Sequence, residues 1–254
     1  MELQGQRVWL IGASSGIGAA LAYELARAGA RLTLSSRDAE ALEQVAQRAR
    51  SVGAEAAVAP LDVTNRLAVI QVASELRARW GEVDALIYSA GQWETLDVAS
   101  YDAASAERQL DVNLLGLVRA VGAVMPEMVQ RRAGAIVGIA SVAGYGGWPL
   151  ASAYSASKAG MLAYLQSLRI DLHRYDVQVI TVMPGFVESR LTDQNAFKMP
   201  FKLTAEEAAT MIVAGLRAGK TEIHFPRRLS IPLKLFSALP RPLYEAVLRR
   251  ATRR

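Results

Sequence analysis

"LIGASSGIGAAL", residues 10–21, sets Gly12, Gly16 and Gly18 between an aliphatic run and the start of a helical pattern. Glycine lets the chain turn sharply and lets a bulky anion lie against the backbone. A helix that starts just after such a turn offers free N–H groups and the positive end of its dipole. The stretch therefore predicts a strand, a tight turn and a helix N-terminus shaped for a pyrophosphate. Its spacing is G-x-x-x-G-x-G, not G-x-G-x-x-G, and an isolated glycine pattern is also what a plain structural turn looks like. The rest of the chain decides between the two.

Working outward, short aliphatic runs recur: "RVWLI" (7–11), "RLTLS" (31–35), "EAAVA" (55–59), "DALIY" (84–88), "GAIVGIA" (134–140), "VQVITV" (177–182) and "EIHF" (222–225). Helical patterns lie between them, at 17–29, 38–50, 65–80, 102–131, 153–174 and 204–218. Strands alternating with helices of this length form right-handed βαβ units. The expectation is an α/β fold, a doubly wound parallel sheet of seven strands with helices on both faces. One domain, 1–254, accommodates it, and no linker or internal repeat interrupts the pattern. The long connection 184–203 reads as a lid, and 227–254 as a basic C-terminal extension.

Composition narrows the function. Cysteine is absent, so disulfides and thiolate chemistry are excluded. With two histidines and no ligand-spaced cluster, a metal site has no support. The net charge is +5, but residues 220–254 hold nine Lys/Arg against two Glu, which is +7 and leaves −2 for the rest. The body is not basic, so a nucleic-acid binder is a poor reading. The start, "MELQGQRVWLIG", lacks the pattern of a secretion signal, and no stretch reads as a membrane span; a cytoplasmic location is expected.

The dinucleotide is read at the end of the second strand. An acid there would bond the adenosine ribose of NAD and repel a 2′-phosphate. This chain has Ser36 in that place and then Arg37, whose guanidinium suits a phosphate and an adenine face. Asp38 follows and is expected to be the N-cap of helix 38–50. The expected cofactor is NADP(H).

Further on, "AYSASK" (153–158) places Tyr154 and Lys158 four apart, on one face of a helix. Alone, such a pair is ordinary surface decoration. With "GASSGIG" near the start and "YSASK" past the middle, however, the chain resembles the short-chain dehydrogenase/reductase family over residues 5 to about 190. The resemblance implies a Rossmann-type fold and an Asn-Ser-Tyr-Lys tetrad, carried here by Asn113 of "LDVNLLG", Ser141 of "GIASVAG", Tyr154 and Lys158. It implies cofactor contacts from Gly12, Ser14, Ser15, Gly16, Ile17 and Gly18 of the turn, Arg37, Asp62 and Val63 of "PLDVT", and Ala90 and Gly91. Tyr154, Lys158, and Pro184, Gly185, Val187 and Ser189 of "MPGFVES" complete that set. Two positions depart from the family: Ile11 replaces the usual Thr or Ser before the first glycine, and "YSAG" (88–91) replaces Asn-Asn-Ala-Gly. The paired change reads as a correlated replacement. At Ser189 a threonine is usual, and the hydroxyl is kept.

Carbonyl reduction needs a hydride and a proton for the developing alkoxide. A tyrosine at its ordinary pKa near 10 is poorly matched to neutral pH. A lysine charge about 4 Å away, at an effective dielectric near 20, favours the phenolate by about 4 kcal/mol, or about 3 pKa units. The expectation is that Lys158 lowers the Tyr154 pKa. By resemblance, Lys158 also binds the nicotinamide ribose, Ser141 bonds the substrate oxygen and Asn113 holds a water leading to solvent. On the substrate side, Trp93, Tyr145, Trp148 and Phe186 are candidates, forming a wall for an apolar or aromatic carbonyl or alcohol. A homo-oligomer is expected. The tail, broken by Pro232, Pro240 and Pro242, either packs on the body or a second subunit, or meets an anionic membrane. An NAD-dependent alcohol dehydrogenase and a non-catalytic dinucleotide-sensing scaffold on the same fold are the alternative functions.

Overall fold

The computed structural model describes residues 1–192 and 198–251. Seven parallel strands form one sheet: β1 (Arg7–Ile11), β2 (Arg31–Ser35), β3 (Ala56–Val58), β4 (Ala85–Tyr88), β5 (Gly134–Ile139), β6 (Val177–Pro184) and β7 (Glu222–Phe225), in the order 3-2-1-4-5-6-7. The order reverses at β1, which pairs with β2 on one side and β4 on the other. That switch point opens a crevice at the carboxyl ends of the strands.

Alternation along the strands feeds two cores. Val8 and Leu10 of β1 join one with Leu21 and Leu25 of α1 (Gly16–Arg27), Leu42 of α2 (Ala39–Arg50) and Ile212 of α7 (Ala205–Arg217). Trp9 and Ile11 face the other, with Val69 of α3 (Arg66–Trp80), Leu117 of α5 (Gly116–Arg131) and Met161 and Leu165 of α6 (Ser152–Leu172). Both faces of the sheet are covered, which is why its strands read as unbroken aliphatic runs. Local chemistry starts the helices. Asp38 caps α2 by accepting from Ala41 N at 2.9 Å, Asn65 caps α3, and Thr204 and Glu207 form a capping box on α7.

The stretch expected as one helix at 102–131 is α4 (Ala103–Leu110), a single π turn (Asp111–Leu115) and α5 run together. In the π turn Gly116 N–H donates to Asp111 O, five residues back. Contrary to the reading of the sequence, Ala103–Arg131 is long and apolar enough to cross a membrane by composition, with an 18-residue window of mean hydropathy 1.4. Part of that apolarity faces the core, where Leu117, Val121, Val124 and Met128 lie buried, and 39% of the window is buried in all.

The connection 184–203, expected as a lid, has a neck in which Val187 bridges Leu203, Glu188 N donates to Leu203 O and Leu203 N donates to Phe186 O. Residues 193–197 of the expected lid lie outside the described residues, as do 252–254 of the tail. The tail forms α8 (Arg227–Ser237) and α9 (Arg241–Ala251), separated at Pro240. It packs on the body: Tyr244 is buried, and its hydroxyl donates to Gly147 O at 2.8 Å.

Candidate active site

The crevice at the switch point is a cavity of about 830 Å³, within the range of small-molecule sites. Every residue expected to meet the cofactor lines it: the turn residues Gly12 and Ser14–Gly18, then Arg37, Asp62, Val63, Ala90 and Gly91, then Tyr154, Lys158, Pro184, Gly185, Val187 and Ser189. The turn is closely packed. A Cβ at Gly12, whose φ is +85°, would lie 2.3 Å from Ala90 N, and one at Gly18 would lie 2.0 Å from Gly12 O. Gly16, at φ +52°, faces Ser189 of the 184–203 connection, whose Cβ is 3.1 Å from where a Cβ on Gly16 would stand. The first turn of α1 has no acidic residue, and Ser15 does not cap it with its side chain. A glycine cradle opening on an uncapped helix N-terminus fits a pyrophosphate.

At the adenosine end, Arg37 is exposed at the rim and Asp38 is engaged as N-cap of α2. Burial alone would raise the Asp62 carboxyl. The Thr64 amide and hydroxyl, with Arg37 and Arg119 nearby, hold it below its ordinary value.

At the other end, the four tetrad candidates converge. Ser141 follows β5, and its hydroxyl donates to Pro184 O at 3.5 Å, accepts from Ala143 N at 3.1 Å and lies near enough to Tyr154 to favour its ionised form. Lys158, one turn beyond Tyr154 on α6, is buried, and its Nζ donates to Ile139 O at 3.0 Å and lies 5.7 Å from the Tyr154 ring centre. Asn113 sits in the π turn, fully buried behind the cavity wall. Its Oδ1 accepts from Gln92 N at 2.7 Å, while Nδ2 donates to Gln92 O and Ser157 Oγ, both at 2.9 Å. A Cβ at Gly91 would be 3.6 Å from Asn113 Oδ1 and 3.8 Å from Lys158 Nζ, so these two groups flank one point of the cleft.

The electrostatics differ from expectation. Burial pushes the Tyr154 hydroxyl above its ordinary value, with nearby Ser141 pulling the other way, and burial brings Lys158 down to about 7. Both neutral forms gain from the dry surroundings. Lys158 is spent on a backbone carbonyl, so at rest desolvation outweighs its pull on the phenol.

The four substrate-side candidates separate. Trp93 lines the cavity, its ring edge-on to Tyr154 with centroids 5.1 Å apart. Tyr145, Trp148 and Phe186 are not in the cavity lining. The Tyr145 hydroxyl meets Met183 Sδ at 3.4 Å, and Trp148 packs against Phe236 and Tyr244 of the tail. The structure adds Gln92 and Glu94 on either side of Trp93, and Arg190, Leu191 and Thr192 from the connection after β6. Glu94 accepts from Ser105 Oγ and from Gln92 Nε2 at 2.6 Å, bonds that hold its carboxyl below the ordinary range. Position was the available signal, since "GQWE" follows β4 directly into the crevice.

A switch-point crevice with a glycine cradle at one end and a Ser-Tyr-Lys cluster at the other defines a dinucleotide-dependent oxidoreductase. The short chain dehydrogenase family matches residues 6–199, and the chain belongs to it. An uncharacterised oxidoreductase of Myxococcus xanthus is 35% identical over 98% of both chains. An 11-beta-hydroxysteroid dehydrogenase-like protein of Arabidopsis thaliana is 34% identical, with 94% of this chain and 82% of the relative covered. Among solved structures, a variant of actinorhodin polyketide ketoreductase with NADPH superposes with a TM-score of 0.79 at 26% identity, over 87% of this chain and 95% of that one. The protein is thus an oxidoreductase of a family that uses a nicotinamide dinucleotide and acts on small molecules with CH–OH or C=O groups.

Proposed function

We propose that the protein is an NADP(H)-dependent reductase of apolar or aromatic ketones or aldehydes, or the reverse alcohol dehydrogenase, with Tyr154 as general acid and base. The observation that carries this reading is that Ser141, Tyr154 and buried Lys158 line one end of the same cavity whose other end is the glycine turn. When bound, the nicotinamide gives or takes the hydride. Ser141 and Tyr154 present hydroxyls to the substrate oxygen from one side, and Tyr154 releases its proton as that oxygen gains charge. Burial keeps Tyr154 protonated until then, the state a general acid needs. A protonated Lys158 then steadies the phenolate, and a value near 7 lets the lysine exchange protons at neutral pH. Arg37 at the rim, with Asp38 tied to its helix, favours a 2′-phosphate over a bare ribose. Trp93 supplies the apolar wall.

The proposal includes a homo-oligomer in the cytoplasm, and exposed Leu115, Val118 and Ile170 on the α5–α6 side support the assembly. A panel of ketones and aldehydes followed at the nicotinamide absorbance band, with NADPH and NADH in parallel, tests the activity. Turnover with NADPH is expected, and consumption of neither cofactor across the panel would refute it.

A further inference from the structure

Tyr88 ends β4 and opens the "YSAG" stretch, the second place where this chain departs from its family. It is fully buried, and its hydroxyl donates to Val112 O in the π turn. That carbonyl lies where the α-helical bonding pattern is interrupted. In an α-helix it would accept from the amide four residues on, but that amide, Gly116 N–H, reaches past it to Asp111 O. A buried carbonyl left without a partner is costly. Room for the phenol comes from Gly116 itself, where a Cβ would stand 2.2 Å from the Tyr88 hydroxyl oxygen and 2.9 Å from Val63 Cγ2.

The residue after Val112 is Asn113. Its amide is gripped by the backbone of Gln92, four residues after Tyr88, and by Ser157, whose hydroxyl also donates to Tyr154 O. One short segment, 88–92, therefore holds the π turn twice, by the Tyr88 side chain and by the Gln92 backbone. The turn in turn ties to α6 between Tyr154 and Lys158.

We propose that Tyr88 is a positioning residue: through the Val112 carbonyl it fixes the π turn, and through Asn113 and Ser157 it sets the Tyr154–Lys158 stretch of α6 against the cleft. This rests on the function proposed above. Tyr88 touches neither cofactor nor substrate and acts only by holding what does.

Tyr88→Phe keeps the ring and removes the hydroxyl, so a packing role alone leaves it nearly silent. The expected result is a fall in kcat of about tenfold, with NADPH affinity within about twofold and faster amide hydrogen exchange confined to residues 111–117. The pH profile of kcat should also move, since Lys158 sits on the helix that shifts. A lower melting temperature with kcat per folded molecule unchanged would overturn the proposal, as would exchange at 111–117 equal to wild type. The exchange measurement decides even if no carbonyl in the panel is reduced, an outcome that counts against the proposed reaction alone.

Discussion

Lys158 Nζ stands 5.7 Å from the centre of the Tyr154 ring, donates to Ile139 O and is almost wholly removed from solvent. A lysine in that setting is charged at a cost. Its value of about 7 in the fold lies below the 10.5 of a free side chain, so the unfolded chain binds more protons at any pH between the two. Stability from this group is therefore full above about 10.5 and is lost as pH falls through about 7.

Lys158→Met removes the titration while filling the same space. In urea unfolding of the protein without added cofactor, wild type should gain on the variant by a few kcal/mol at most between about pH 6.5 and 9.5. Parallel pH dependences would mean the lysine is solvated.

Trp93 meets Tyr154 edge-on and closes one side of the cavity. Aromatic contacts of this kind are worth about 0.5–1.5 kcal/mol. Trp93→Ala should raise KM for aromatic ketones by about three- to tenfold and leave NADPH affinity unchanged. An equal effect on small aliphatic substrates would point to a general loosening of the site.

Arg37 lines the adenosine end of the cavity, where the 2′-phosphate of the proposed cofactor would meet it. A hydrogen bond to a charged group is worth about 1.5–3 kcal/mol, so Arg37→Asp should shift the ratio of kcat/KM for NADPH over NADH by at least about tenfold toward NADH. The measurement is steady-state kinetics with both cofactors. An unchanged ratio would locate the selectivity elsewhere.

The features readable from the sequence share a physical character: each is local. The glycine turn needs its glycines because a Cβ at Gly18 would stand 2.0 Å from backbone, and Asp38 caps the helix whose start it marks. The seven strands were legible because both faces of the sheet are buried. What the sequence hid depends on contacts between distant segments. The π turn leaves the hydropathy period of 102–131 almost unchanged, so nothing marked Asn113 as sitting on it. Tyr145 and Trp148 read as substrate wall because they precede the Tyr-Lys helix, but the tail, nearly a hundred residues later, takes up Trp148. The direction of the Tyr154 shift was misjudged for a related reason, since the i, i+4 spacing gives reach but not depth of burial.

The most direct test of the proposed chemistry is Tyr154→Phe. General acid catalysis is worth about 10²–10⁴-fold, so the variant should bind NADPH with wild-type affinity, measured by fluorescence titration, yet reduce its best carbonyl substrate slower by that factor. A Tyr154→Phe enzyme that binds NADPH normally and turns over at the wild-type rate would contradict the assignment of Tyr154 as the proton donor.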